Sequence, residues 1–357
     1  MKLKYNRTNF FRALGLLVFL LLGACGNGGE TNSASETQSS GGGSYSIATL
    51  PETTAFYETG SGISSVVGEH SSVNMSVSPY AGIMSWIPLL QEGEVDFGLS
   101  QYATLSYNYE GHEPKEYEEK KNLRTVMYGN NAVLTGIAVR EDAGIESISD
   151  LKGKKVASDF PGDDGVGALV EVVLQSVGLS WDDVEKVPVS NAPAGLEALR
   201  NGEVDAAFAG TPTQGSILEI DEVAGIKALN FGEVPPEEFD EFPEELHELM
   251  NTYNPGLEPV LFEGGFIEEE KIIYQYPIIL ATATHVPEGA VYEITKALWE
   301  NDKELHSYGN WLKEWNSETM FNPYPPAPYH DGAIKFFKEE GVWTEEAEEY
   351  HQDLLQE

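Results

Sequence analysis

Few side chains in this sequence suit covalent chemistry. The seven histidines, at 70, 112, 247, 285, 306, 330 and 351, include no pair at metal-ligand spacing, no Gly-x-Ser-x-Gly turn presents a nucleophile, and the one cysteine is Cys25. PGDDGVG, from residue 161, is acidic but lacks the alternate-residue ligands of a calcium loop. No cofactor, metal or catalysis is expected. What the sequence does supply is the means of holding a small molecule: hydroxyls, amides and backbone N–H groups where predicted helices begin. Thr49, Thr53, Thr54, Phe56 and Tyr57 lie on one such loop, with Tyr80 and Gln101 on the next two. A second series runs Pro161, Gly162, Asp163 and Asp164, then Asn191, then Thr211, Thr213 and Gln214. The same residue types also cap helices, so Asp163 is either an N-cap or a ligand group. Asn130 and Asn131, before an apolar run, suit a hinge or a pocket.

The elements that must position these loops come in two similar sets. GEVDFGLSQ at 93–101 returns as GEVDAAFAG at 202–210, each preceded by apolar residues at helical spacing that end at a Gly. YSIATLPETT around Ile47 and KKVASDFPGDD around Val156 both read as a strand running into a polar loop. One displacement of 109 residues relates Ile47 to Val156 and Val95 to Val204. Two lobes are therefore expected, with the Asp of each GEVD supporting a turn. Lobe I covers 45–138, with 281–357 returning to it, and lobe II covers 139–280. In lobe II the expected elements are strand 155–159, helix 165–177, strand 186–190, helix 193–201, strand 204–209, helix 213–219 and strand 226–230. TVMYGNNAVLTGIAVR makes the outward crossing and YPIILATATH, 276–285, the return, with an irregular acidic insertion at 232–270 between them. GAVYEITKALWEN is a helix, and the Pro-rich aromatic segment WNSETMFNPYPPAPYH is an ordered wrap. The expected fold is an α/β clamshell hinged on crossing strands, with ligand held at the carboxyl ends of strands.

The N-terminus reads as an export signal over 1–24. Lys2, Lys4, Arg7 and Arg12 precede an apolar run, Ala13 to Leu22, too short to span a bilayer. Leu22-Gly23-Ala24-Cys25 resembles a lipoprotein cleavage site, which makes Cys25 the lipidated residue and 25–44 a flexible tether on an extracytoplasmic, membrane-anchored protein. The chain carries 59 acidic against 21 basic residues and a formal charge of −38, which repels nucleic acid. No disulfide is available to the lobes, and a monomer is expected.

Taken in order, these pieces resemble the TAXI group of TRAP-transporter solute receptors. The resemblance rests on Ile47, Thr49, Thr53, Thr54, Phe56, Tyr57 and Gly60 in the first loop, on GEVDFGLSQ, on AVREDAGIESISDLKGKKV, on FPGDDGVG, and on VPEGAVYEITKALWEN followed by PYHDGAIKFFKEEG. It implies a type II periplasmic-binding-protein-like fold and a non-catalytic receptor that captures a small polar metabolite, an amino acid or organic acid, for a TRAP-type membrane permease. The alternative is a surface lipoprotein that senses its solute without a transporter. Where the family has Gly/Thr-rich and Pro-Gly-Ser-Gly-like loops, this chain has Leu50-Pro51-Glu52 and Asp163-Asp164. The ligand is then either a carboxylate or a cationic or zwitterionic solute held by these acids with Phe56, Tyr57 and Tyr80. Arg140 and Arg200 are not expected to fork a carboxylate.

Overall fold

The computed structural model describes residues 42–111, 117–161, 164–254 and 256–356. Cys25, the export signal, most of the tether, Gly162 and Asp163 lie outside the described residues, as do the side chains of Asn130, Asn131 and Asp164.

The chain begins with β1 (Gly43–Thr49), α1 (Ala55–His70), β2 (Val73–Pro79), α2 (Ile87–Glu92), β3 (Phe97–Gln101) and α3 (Tyr102–Glu110). It crosses on β4 (Leu123–Leu134) and β5 (Gly136–Arg140). A second set follows: β6 (Lys155–Ser158), α4 (Asp164–Gln175), β7 (Glu185–Pro188), α5 (Ala192–Arg200), β8 (Ala206–Ala209), α6 (Gly215–Ala224) and β9 (Ile226–Ala228). After α7 (Glu244–Tyr253) the hairpin β10 (Glu258–Gly264) and β11 (Ile267–Ala283) leads back, and α8 (Glu288–Glu300), α9 (Asp302–Leu305), α10 (Asp331–Glu339) and α11 (Glu345–Gln356) finish the chain.

Two sheets result. One runs β2-β1-β3-β11, with β10 and β4 both paired to β11; the other runs β7-β6-β8-β5-β9. In each, the first three strands are parallel and the fourth, β11 or β5, is antiparallel to its neighbour. Those antiparallel strands are the ones on which the chain arrives from the other set. This is the two-lobed, type II periplasmic-binding-protein-like clamshell, and the long β4–β11 pairing is its crossing.

The repeat extends to single bonds. Ile47 pairs with Phe97 in one sheet and Val156 with Ala206 in the other, at the same displacement as the sequence motifs. Asp96 accepts from Ser46 N at 2.7 Å, and Asp205 accepts from Lys155 N at 2.8 Å. Gly93 and Gly202, where each helix stops, have φ of +76° and +71°, a conformation that glycine adopts without a Cβ penalty. Each Asp thus ties its turn to the start of the neighbouring strand, as the sequence implied. The two copies differ in strength. Ser46 adds a hydroxyl bond to Asp96 at 2.9 Å and accepts from Asp96 N at 3.0 Å, whereas Lys155 has no hydroxyl to offer. Asp96→Ala is therefore expected to cost about 3 kcal/mol and Asp205→Ala roughly half that, because bonds to charged acceptors contribute about 1.5–3 kcal/mol and the second clasp is solvent-exposed. Urea midpoints of the two variants check the order.

Two findings differ from the sequence reading. The acidic stretch 232–270 is not irregular throughout, for it holds α7, β10 and the start of β11. Its apolar residues escape period counting because they are shared between a short helix and a hairpin: Met250, Leu257 and Ile267 are all buried. The return strand likewise starts at Ile267, well before the apolar run at 276. The aromatic wrap is ordered as expected, with Thr125 N donating to Pro328 O at 2.9 Å, Tyr128 N to Met320 O at 3.1 Å and Tyr128 hydroxyl to Tyr324 O at 2.6 Å.

His330, at the end of the wrap, caps α10. Its Nδ1 accepts from Gly332 N at 3.2 Å, which places the proton on Nε2, 3.0 Å from Val286 O. Burial holds its pKa below the ordinary 6.5, against an opposing pull from Asp331. The unfolded chain therefore binds the proton first as pH falls. The contribution is complete above pH 6.5 and is lost as pH drops through the lower folded value. Urea midpoints at about pH 7.5 and about pH 5 are expected to show this fall. His330→Asn, which keeps a capping oxygen without a titrating ring, is expected to reduce it, leaving the part that buried His351 contributes with the same sign.

Candidate binding cleft

The strands β1, β3 and β8 all end toward the same space between the lobes, and the loops that follow build its walls. Thr54 closes the first loop: its hydroxyl donates to Pro51 O at 2.7 Å and accepts from Tyr57 N at 3.4 Å, which starts α1. On the opposite lobe Asn191 Oδ1 accepts from Ala194 N at 2.9 Å and starts α5, with Pro193 in the first turn. Gln101 ends β3; its amide nitrogen is 3.3 Å from the Tyr276 hydroxyl on β11. Gln214 stands before α6, and its amide nitrogen donates to the carbonyl of Thr53, which also accepts from Ser216 hydroxyl at 3.0 Å. Those two bonds join lobe II to lobe I across the mouth. The lobes are closed on a cavity of about 270 Å³.

Of the residues expected from sequence, Thr53, Thr54, Phe56, Gln101, Thr211 and Gln214 line this cavity, as does Asn191. Thr49 does not. It is fully buried behind the wall, its hydroxyl donating to Leu50 O at 3.1 Å and its methyl seated where a Cβ at Gly60 would come within 2.5 Å. Tyr57, Tyr80, Pro161 and Thr213 are also absent from the lining. Tyr80 serves through its backbone, donating N–H to Thr49 O at 2.9 Å. Asn130, Gly162, Asp163 and Asp164 fall where the side chain or the residue is outside the described set. Beside them, Asp159 and Phe160 hold left-handed φ of +71° and +29°. For a bulky residue such as Phe this is strained backbone, here at the cleft end of β6.

Most of the lining escaped the sequence reading. Pro193, Leu196, Glu197 and Arg200 lie along one face of α5, and Ile217 and Ile220 along α6. Leu134, Phe208 and Ile278 come from strands and Trp311 from the turn after α9. Helical spacing of apolar residues signals a buried face, but a core and a cleft leave the same signal. Arg200 lines the cavity, where it is engaged by Glu197 one turn earlier. Arg140 is held away by Asp142, at 2.9 and 2.8 Å, which holds the Asp142 carboxyl below its ordinary value. The wall is thus predominantly apolar, with a few amides and hydroxyls, the Glu197–Arg200 pair and Glu219.

A family model described as NMT1-like matches residues 47–341, from β1 through α10 and so across both lobes and the crossing. The chain belongs to the NMT1-like family. Solved structures similar to this NMT1-like chain include one described as a periplasmic transporter, at 12% identity and a TM-score of 0.49, covering 88% of this chain and 95% of that one. A protein from Bordetella bronchiseptica RB50 aligns at 16% identity and a TM-score of 0.49, covering 87% and 97%. MatC from Rhodopseudomonas palustris with bound malate aligns at 12% identity and a TM-score of 0.48, covering 87% and 98%.

Proposed function

We propose that this NMT1-like protein is an extracytoplasmic solute receptor, anchored through a lipid on Cys25, which closes its two lobes on a small solute and passes it unchanged to a membrane permease. The observation that carries the reading is the cavity between the lobes, bridged by the paired donation of Gln214 and Ser216 to the Thr53 carbonyl. A cavity walled by both lobes ties binding to closure, because neither lobe alone completes the wall. Reactive groups give no rival reading: Thr54, Gln101 and Asn191 are hydrogen-bonded to a neighbouring side chain or to backbone, and no nucleophile stands beside a base among the described lining residues. The loop and crossing motifs that resemble TAXI receptors support a TRAP-type permease as the recipient. Asp163 and Asp164 remain proposed ligand contacts should the solute carry positive charge.

Gentle purification followed by denaturation and mass spectrometry of the released small molecules tests the proposal. A retained solute is expected, and adding it back to stripped protein at about a hundred times its Kd is expected to stabilise the fold by about 2.7 kcal/mol. The absence of any retained molecule, with no ligand-dependent rise in Tm, would refute it.

A further inference from the structure

We infer that the solute is an amphiphile, a hydrocarbon body of about a dozen non-hydrogen atoms with a single polar end group. This rests on the receptor reading and specifies the occupant of the same cavity. An apolar cavity of about 150 Å³ accommodates a benzene ring, so the 270 Å³ here sets the size. Its shape follows from α5, whose lining residues run from Pro193 to Arg200, about 10 Å at the helical rise. Its apolar wall is built from Leu134, Leu196, Phe208, Ile217, Ile220 and Ile278, beside the Glu197–Arg200 pair and Glu219.

Several polar side chains are engaged, while the hydroxyls of Thr53 and Thr211 are not bonded among the described residues. Thr54 is held by Pro51 and Tyr57, Asn191 by Ala194, and Gln214 by Thr53. Gln101 gives one amide hydrogen to Tyr276 and keeps a second, enough to meet one end group. The charged side chains among the described lining residues are Glu197, Arg200 and Glu219, and Arg200 is already paired with Glu197. A molecule with two carboxylates, such as succinate or glutamate, would bring two negative charges to a wall whose one cation is committed and which carries acids of its own, and burying charge without a partner is costly. A hydrocarbon chain meets no such cost on this wall.

Calorimetry on the full chain stripped of bound molecules tests this with linear alkanoates from about four to twelve carbons, octan-1-ol, succinate and glutamate. Affinity is expected to rise about four-fold per added methylene up to about eight to ten carbons and then to fall, with a negative heat-capacity change. Ile220→Ala, which deepens the slot, is expected to move the optimum to a longer chain. Succinate and glutamate are expected to bind at least about a hundred-fold more weakly than octanoate. Tighter binding of succinate or glutamate, blocked by filling the cavity with Gly210→Phe, overturns the amphiphile and leaves the receptor standing. Octanoate binding that survives Gly210→Phe is surface adsorption and also overturns it, as does a series with no dependence on chain length. The receptor reading fails on a separate result, the absence of any retained molecule.

Discussion

Gly210→Phe is expected to leave the protein folded and to reduce solute affinity by more than about a hundred-fold. Gly210 follows β8 at the cleft, and the one heavy atom near a Cβ added there is Ile217 Cδ1, at 4.0 Å, so the new side chain enters open space. Its backbone φ is not in the positive range that excludes side chains. Its carbonyl accepts from Thr135 N and Oγ1, both at 3.0 Å, and a side chain does not disturb either bond. A phenyl ring takes up much of a 270 Å³ cavity, and a hundred-fold loss corresponds to about 2.8 kcal/mol of displaced contact. Calorimetric titration of the retained solute, with a melting curve as control, checks both halves. An unchanged affinity with an unchanged melt would place the solute elsewhere.

Gly129→Val is expected to cost about 3 kcal/mol or more of stability. Gly129 lies in β4, and a Cβ there would come within 2.3 Å of Trp315, a side chain with no solvent exposure. Overpacking commonly costs about 1–3 kcal/mol, and a rigid indole held by the wrap has little room to yield. Gly98 in β3 is arranged similarly, with Trp86 within 2.4 Å of an added Cβ. The two sites predict different damage. Gly98→Val disturbs the centre of the first sheet, whereas Gly129→Val displaces the wrap from the crossing. Urea denaturation gives the loss in each case, and hydrogen exchange at Tyr128 and Thr125, which bond to the wrap, distinguishes them.

The lobes were legible in the sequence because each states its structure locally. Repeated Gly-Glu-Val-Asp turns, apolar runs of strand length and the 109-residue displacement all survive as paired residues and as the two Asp clasps. The cleft was legible only in its loops. Loops that start helices carry cap residues, so Thr53, Thr54, Gln101, Thr211 and Gln214 were found from their types. Leu196, Phe208, Ile220 and Ile278 were not, since a side chain facing a cavity and one facing a core share the same period. Which of the two it faces depends on how the second lobe swings against the first, a relation with no local signature. Trp311 and Tyr276 reach the cleft from far along the chain for the same reason.

The closing contact is asymmetric. Its acceptor is a main-chain carbonyl, which every amino acid at position 53 would present, while both donors are side chains of lobe II. Substitution on one side can therefore adjust how firmly the mouth shuts, whereas the other side is fixed by the course of the backbone. Variation in the open-to-shut balance among relatives of this protein is thus expected to be written at positions 214 and 216, leaving the first loop free to vary with whatever it touches inside.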